Sequence, residues 1–215
     1  MNLEKYIDYT ILKSDASESQ ITTLCHEAVK WNLKAVCVNP CHIKKCKEIL
    51  EGSETDLCTV IGFPLGATFP EAKLMEAERA LALGADELDM VINIGALKDN
   101  KDDLVFKDIN QIANLTKRKG KILKVIIETS VLTEEEKERV CKIIMKTDAD
   151  FVKTSTGFST GGATVEDIKL IKSIVGDSKK IKASGGIKTR EFALELIEAG
   201  ADRIGASSAK EIIFP

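Results

Sequence analysis

Residues 83–93 read LGADELDMVIN, in which a helical pattern ends in a short turn and an apolar run follows. The same order returns as TDADFVK from residue 147 and as AGADRIG from residue 199. In each copy a short residue closes a helix, an Ala-Asp pair makes the turn, and a strand-like run begins. The spacing of the copies is too irregular for a sequence repeat, so the pattern indicates one supersecondary unit used several times.

Eight apolar runs predict strands. Most are nearly continuous, which is typical of parallel strands that are covered on both faces. Amphipathic helical patterns separate them, and capping-box spacing at Thr68 to Glu71 and at Thr133 to Glu136 marks two helix starts. The predicted strands cover residues 6–12, 34–39, 57–63, 87–93, 123–128, 150–155, 180–185 and 202–207.

Eight strands that alternate with about seven helices leave two architectures, a closed barrel or an open doubly wound sheet. No GxGxxG or GxxxxGK[ST] stretch follows a strand, which weakens the nucleotide-binding open sheet. We therefore predict a single-domain (β/α)8 TIM barrel over residues 1–215, near the low end of the size range of that fold. Only residues 209–215 follow the GASS segment (205–208), so we expect a truncated last helix.

Composition and charge exclude several classes of function. The chain is 44% hydrophobic and 30% charged, which is ordinary for a soluble globular protein. Its formal net charge of −3 gives no broad basic field for nucleic acid. The longest apolar runs are too short to span a bilayer, and the first residues lack a signal-peptide pattern. We expect a cytoplasmic protein without a nucleic-acid or membrane partner.

The six cysteines are expected to be reduced thiols, because no export signal accompanies them. The segment CVNPCHIKKC (37–46) brings three of them together with His42 and resembles a metal site. Its spacing matches no common zinc motif, however, and no second cysteine pair follows at finger distance. The sequence therefore predicts no metal, and we interpret these cysteines as small buried residues.

Four charged residues stand at the predicted strand ends, Asp8, Asp89, Lys153 and Lys182. Functional groups of this fold gather at the C-terminal ends of the strands. Lys153 and Lys182 occupy the same part of neighbouring strand repeats, so their ammonium groups are expected within several ångströms of each other. Since two such charges repel, one amine should lose its proton readily and become a nucleophile that forms Schiff bases. Asp89 is placed to move protons, and the residues alone do not say which lysine attacks.

A phosphate site is predicted beside these residues. SGG (184–186) ends the seventh strand and GASS (205–208) ends the eighth, and loops after these two strands commonly hold phosphate in the fold. Ser207 and Ser208 add hydroxyl donors, and Lys188 adds charge. The alternative interpretation is a pair of tight turns with serine caps.

Six segments in order, at barrel-strand spacing, resemble the deoxyribose-phosphate aldolase family over essentially the whole chain. The segments are LCTVIGFPLGA (57–67), GADELDMVIN (84–93), LKVIIET (123–129), ADFVKTSTGF (149–158), IKASGGI (181–187) and RIGASS (203–208). The resemblance implies a (β/α)8 class I aldolase that needs neither metal nor organic cofactor. Such an enzyme interconverts 2-deoxy-D-ribose 5-phosphate with D-glyceraldehyde 3-phosphate and acetaldehyde.

The resemblance also implies roles for individual residues. Lys153 matches the Schiff-base nucleophile, Lys182 the lysine that perturbs it and supports proton transfer, and Asp89 the acid/base partner. Homodimers are common in the family, so a homodimer or a higher homo-oligomer is expected. The phosphate would lie against Gly157, Gly185, Gly186, Gly205, Ser207 and Ser208.

Three positions depart from some family members or leave a role open. Phe158 stands where some members have a lysine, so one phosphate-binding charge is missing. The sequence ends at Pro215 without the C-terminal tyrosine that assists proton transfer in some members, so water or Asp89 would serve instead. Cys37 aligns near the pocket, at a position where the thiol of some members reacts with aldehyde products.

Three other functions stay open on the residues. One is another Schiff-base aldolase or transaldolase that acts on a different sugar phosphate. The second is a phosphate-binding barrel without covalent chemistry, in which the lysines only hold anions. The third is a non-enzymatic domain whose lysines are structural.

Overall fold

Eight parallel strands form a closed barrel in the computed structural model, which describes residues 2–214 of the chain. Each strand pairs with the next along the sequence, and β8 closes the barrel against β1. The (β/α)8 prediction is therefore confirmed. The strands are β1 (Ile7–Ile11), β2 (Ala35–Val38), β3 (Asp56–Ile61), β4 (Glu87–Val91), β5 (Ile122–Ile126), β6 (Phe151–Lys153), β7 (Lys180–Ser184) and β8 (Arg203–Ala206).

Helices cover the outside of the barrel, and two of them follow β4. The α-helices are α1 (Glu18–Lys30), α2 (Ile43–Leu50), α3 (Pro70–Ala82), α4 (Ile94–Lys98), α5 (Asp102–Arg118), α6 (Glu134–Met145), α7 (Val165–Val175), α8 (Arg190–Glu198) and α9 (Ala209–Ile213). Short 3-10 helices span Leu3–Tyr6, Pro40–His42 and Thr129–Val131. The truncated last helix is confirmed by the five residues of α9, whereas the prediction made at Pro215 lies outside the described residues.

Local sequence signals explain several helix starts. Thr133 caps α6 through the predicted reciprocal bonds with Glu136. The capping prediction at Thr68 is wrong, because α3 begins at Pro70 and Phe69 makes no side-chain cap. Proline at the first helical position has a preset φ and lacks the N–H that a cap would satisfy.

The Ala-Asp turn that recurs in the sequence has one structural role. Its aspartate precedes β4, β6 and β8, and in each case the carboxylate accepts a hydrogen bond from a backbone N–H of the preceding strand. The pairs are Asp86 with Leu57 at 3.2 Å, Asp150 with Leu123 at 2.8 Å, and Asp202 with Ile181 at 2.9 Å. These bonds pin the N-terminal ends of neighbouring strands to one another.

The strand register brings charged residues together inside the barrel. Lys153 is directly paired with Lys182, and Asp89 is directly paired with Lys124. The main apolar core lies between the strands and the surrounding helices. Among residues 2–214, no helix is long and apolar enough to cross a membrane.

Candidate active site

Seven charged side chains fill the middle of the barrel, and we call them the interior charge cluster. All are almost completely buried, and ion pairs connect the seven side chains into one network. Its members are Asp8, Glu87, Asp89, Lys124, Lys153, Lys182 and Arg203.

Asp89 is the centre of this cluster. Its Oδ2 accepts hydrogen bonds from Lys153 Nζ at 2.7 Å and from Lys182 Nζ at 2.8 Å. Its Oδ1 accepts from Lys124 Nζ at 2.8 Å and from Cys58 Sγ at 3.1 Å. One carboxylate therefore brings three lysine amines together, and the two predicted lysines share a single oxygen.

Asp8 and Glu87, the other two carboxylates of the cluster, bind its basic side chains on the side away from Lys153. Lys182 Nζ donates to Asp8, and Lys124 Nζ lies 2.6 Å from Glu87 Oε2. Arg203 bridges the two carboxylates, at 2.6 Å from Asp8 and 2.5 Å from Glu87. Lys124, Lys182 and Arg203 thus each contact at least two carboxylates.

Burial and charge act in opposite directions on these groups. Burial raises the pKa of Asp89, but Lys124, Lys153 and Lys182 outweigh it and hold that pKa well below its usual value. Burial lowers the pKa of Lys182, yet Asp8 and Asp89 together raise it above the usual lysine range. Both groups therefore stay charged at neutral pH.

The cluster contains one positive charge too many. Its four basic and three acidic members carry a net charge of +1 when all are ionised. Lys153 has a single carboxylate contact among the described residues, and it shares that oxygen with Lys182. Lys153 is therefore the cation of the cluster with the least compensation by carboxylates.

A pocket of about 530 Å³ opens above the cluster, and Lys153 is the one cluster member that lines it. Its amine thus lies between the buried charges and the space that a ligand can enter. The lining residues are Thr10, Ile11, Leu12, Lys13, Gln20, Lys153, Thr156, Gly157, Phe158, Ser184, Gly185, Gly186, Ile187, Lys188, Gly205, Ala206 and Ser207.

Glycines shape the pocket for two different reasons. Gly157, Gly185 and Gly186 have positive φ values of 82°, 88° and 76°, which favour glycine in these loops. Gly205 has a packing role, because a Cβ there would lie 3.0 Å from Cε of Lys182. A side chain at position 205 would therefore push against the Cε methylene of Lys182.

The hydroxyls that follow Lys153 bind protein groups. Thr154 Oγ1 donates to the Ser184 carbonyl and accepts from the Ser184 N–H, which ties β6 to β7. Ser155 and Thr156 also bind neighbouring polar groups, and all three residues are buried. The TSTG segment thus supports the pocket wall, and only Thr156 and Gly157 of it line the pocket.

The structure separates the cysteines of CVNPCHIKKC. Cys37 faces Cys58 across β2 and β3, whereas Cys46 is a buried residue of α2. Cys41 is exposed. Ligand atoms of Cys37, Cys58 and Asp89 lie within 4.8 Å of one another. A cation there would compete with the three lysine amines already bound to Asp89.

With this geometry in place, comparison with known proteins decides the family. The model of the DeoC/LacD family of aldolases matches residues 3–213. The chain belongs to this aldolase family. A curated relative from Finegoldia magna, named deoxyribose-phosphate aldolase, is 57% identical over 213 residues and covers 99% of each chain.

Solved structures of related aldolases agree with the barrel. A candidate deoxyribose-phosphate aldolase from Coccidioides immitis superposes with a TM-score of 0.96 at 39% identity, over 99% of this chain and 84% of that one. The tetrameric deoxyribose phosphate aldolase from Aeropyrum pernix gives a TM-score of 0.92 at 33% identity, over 98% of this chain and 89% of that one.

The structure brings most residues of the predicted aldolase site together. Lys153, Lys182 and Asp89 share one contact network, and the predicted phosphate residues other than Ser208 line the pocket. Ser208 precedes α9 and makes no side-chain cap. Phe158 is half exposed at the pocket rim, and its ring packs edge-on against Phe63.

Sequence reasoning missed Lys124 and the bridge formed by Glu87 and Arg203. All three stand near the beginning or middle of their strands. The prediction of strand-end positions holds only for Lys153 and is wrong for Asp8, Asp89 and Lys182, which also lie in the first half or middle of their strands. The available signal was a charged residue at an inward-facing position of an apolar strand, as Lys124 is in LKVIIE.

Proposed function

We propose that the chain catalyses the reversible cleavage of 2-deoxy-D-ribose 5-phosphate to D-glyceraldehyde 3-phosphate and acetaldehyde through a lysine Schiff base. The observation that carries this proposal is the position of Lys153, whose amine joins the interior charge cluster to the pocket. The name of the Finegoldia magna relative, at 57% identity, supports this substrate.

Lys153 is the proposed nucleophile. A neutral amine attacks a carbonyl carbon, and Lys153 is the cluster cation with the fewest carboxylate contacts. Lys182 contacts two carboxylates and is proposed to remain protonated beside it. Lys182 thereby keeps a positive charge close to the reacting amine and opposes reprotonation of Lys153.

The proposed cleavage follows Schiff-base chemistry. Lys153 Nζ adds to the C1 aldehyde of the open-chain sugar, and the carbinolamine loses water to give a protonated imine. The C2–C3 bond then breaks as a base removes the C3 hydroxyl proton, which releases glyceraldehyde 3-phosphate and leaves an enamine on Lys153. Protonation of the enamine at C2 and hydrolysis of the imine release acetaldehyde and restore the amine. Asp89 is proposed to relay these protons, since its Oδ2 contacts both lysine amines.

The substrate phosphate is proposed to bind at the rim of the pocket. Backbone N–H groups of Gly157, Gly185 and Gly186 are candidate donors, and loops after β7 and β8 are the usual phosphate site of this fold. Ser207 and Lys188 line the same pocket and would add a hydroxyl and a charge. Ser208 remains a weaker candidate because it does not line the pocket.

We also propose that the chain forms a homo-oligomer in the cytoplasm. Leu65, Phe69 and Met75 are 73%, 77% and 70% exposed near the start of α3, and exposed apolar side chains that form one patch mark interaction sites. The tetrameric Aeropyrum pernix structure supports assembly from identical chains. Light scattering after size exclusion should give a mass above 23.5 kDa for the wild type, and a lower mass for Phe69→Asp. A monomeric wild type would contradict this proposal.

Borohydride trapping tests the proposed function. We expect sodium borohydride with acetaldehyde to leave a stable adduct, and peptide mass mapping should place it on Lys153. Turnover of 2-deoxyribose 5-phosphate should continue in EDTA. An adduct with turnover of a different sugar phosphate would replace the substrate assignment, and absence of any lysine adduct would reject covalent catalysis.

A further inference from the structure

Glu128 has an unusual backbone conformation beside the pocket. Three non-glycine residues among positions 2–214 have φ in the left-handed region, namely Asn32, Asn100 and Glu128. The two asparagines are exposed, and asparagine tolerates this conformation. Glu128, with φ 58° and ψ 66°, is only 4% exposed and lies just after β5. Such strained conformations cluster at functional sites, where contacts with the surrounding structure offset their cost.

The strained conformation directs the Glu128 carboxylate onto the loop that follows Lys153. The Thr156 N–H lies 3.3 Å from both carboxylate oxygens, and the Thr156 hydroxyl donates to Oε2. The same hydroxyl accepts a hydrogen bond from the Phe158 N–H at 3.1 Å. Glu128 therefore fixes Thr156 directly and Phe158 through Thr156, and Gly157 lies between them.

A second bond fixes the base of the same loop. The N–H of Thr129 donates to the Thr154 carbonyl at 2.9 Å, so consecutive residues after β5 hold consecutive parts of the loop. Glu128 forms no ion pair among the described residues, so its charge acts on the loop N–H and hydroxyl groups. Its carboxylate does not line the pocket and does not touch the cavity a substrate would enter.

We propose that Glu128 is a positioning residue that sets the preference of the enzyme for phosphorylated substrates. It holds Thr156, Gly157 and Phe158 in the shape that presents the Gly157 backbone to the substrate phosphate. Misplacement of such a donor by about 1 Å costs up to about a hundredfold in rate. The inference rests on the proposed function, because it assigns the phosphate to this loop.

Kinetics with two substrates test the inference. In Glu128→Ala we expect kcat/KM for 2-deoxyribose 5-phosphate to fall about tenfold or more, mainly through KM. Activity on 2-deoxyribose, which has no phosphate, should fall less than about threefold. Glu128→Gln keeps an oxygen that accepts from Thr156 and should recover most of the lost preference. Equal losses on both substrates, or no loss on either, would overturn the proposal.

Thr156 supplies a second variant in case the glutamate variants fold poorly. Thr156→Val removes the hydroxyl that joins Glu128 to the Phe158 N–H, and it should lower the preference for the phosphorylated substrate. Thr156→Ser retains the hydroxyl and should restore it. A valine variant with the wild-type substrate preference would count against the link.

Glu136→Ala is the matched control. Glu136 also accepts a backbone N–H from a threonine, Thr133 at 2.8 Å, but it does so on the outer helix α6. This variant should keep the wild-type ratio between the two substrates. A change in that ratio equal to the change in Glu128→Ala would show that any lost glutamate contact has this effect.

Inorganic phosphate separates this inference from the proposed function. Isothermal titration should show weaker phosphate binding by Glu128→Ala than by the wild type, whether or not aldol cleavage occurs. Borohydride trapping with acetaldehyde should be unchanged, since acetaldehyde carries no phosphate. Failure of trapping in the wild type would reject the Schiff-base function alone, whereas equal phosphate affinities would reject the role of Glu128.

Discussion

Lys73 and Lys153 are both buried lysines, but their surroundings differ in one decisive respect. Lys73, on α3, has its own carboxylate, Asp108 on α5, at 2.5 Å, and it also donates to the Val91 carbonyl at 2.8 Å. Lys153 has one carboxylate contact among the described residues, and Lys182 shares the same oxygen. The contacts of Lys73 join α3 and α5 to the end of β4. Lys153, in contrast, must share the negative charge of its carboxylate partner with another lysine.

The aspartate partners differ in the same way. Burial raises the pKa of Asp108, and Lys73 offsets only part of that effect. Burial also raises the pKa of Asp89, but three lysines reverse the effect and lower it well below the usual value. A buried lysine with its own aspartate is thus a structural pair, whereas several lysines around one aspartate fit the proposed site of proton transfer.

The largest expected effect is the loss of catalysis in Lys153→Arg. Guanidinium stays protonated and cannot form the Schiff base, so turnover should fall by about 10³-fold or more. Borohydride trapping with acetaldehyde should give no adduct. Lys73→Arg is the matched control and should still form the adduct. Normal adduct formation by Lys153→Arg would refute the assignment of the nucleophile.

Asp89→Asn is expected to have the next largest effect. An amide cannot relay protons, so kcat should fall by about 10²-fold. Trapping on Lys153 should become slower without disappearing, because the amine remains. Asp108→Asn, in the structural pair, should change kcat little. Similar losses of kcat in the two variants, compared by steady-state kinetics on folded protein, would remove the distinction between the two aspartates.

The sequence predicted the barrel and the lysine pair because both depend on local pattern and repeat length. The runs around Lys153 and Lys182 are apolar on both sides, and one strand-to-strand repeat separates them, so their direct pairing in the register follows. The Ala-Asp turn was also recognisable, although its function was not. The bonds from Asp86, Asp150 and Asp202 to the preceding strands join residues far apart in sequence.

The missed features depend on side-chain direction and on contacts between distant segments. The sequence shows Lys124 only as part of a strand, because its contact with Asp89 arises from pairing of β4 with β5. Glu128 ends the predicted strand 123–128, although β5 stops at Ile126, and nothing in the sequence shows that its φ is positive. Lys73 lies in a helical pattern whose buried partner, Asp108, is on another helix. Each of these three features can be recognised only when the folded barrel shows which distant residues are in contact.

Lys73→Met should destabilise the fold without removing catalysis. Breaking a buried ion pair leaves Asp108 uncompensated and typically costs about 3–5 kcal/mol in the free energy of unfolding. Urea denaturation should show a lower midpoint, and borohydride trapping should persist in the folded protein. The double variant Lys73→Met/Asp108→Leu should recover much of the lost stability, because it removes both charges. An unchanged midpoint in the single variant would contradict the structural role.

Lys182→Leu should have the smallest of these effects, and its readout is pH dependence. Removing one cation leaves three acids and three bases in the interior charge cluster, so protonated Lys153 becomes better balanced. The acid limb of the kcat/KM profile should then move to higher pH, which lowers the rate near neutral pH. Lys188→Leu is the comparison variant, since Lys188 lines the pocket outside the cluster. It should weaken binding of the phosphorylated substrate and leave the position of the acid limb unchanged. Superimposable profiles for the wild type and Lys182→Leu would show that the shared carboxylate, rather than charge repulsion between the lysines, sets the reactivity of Lys153.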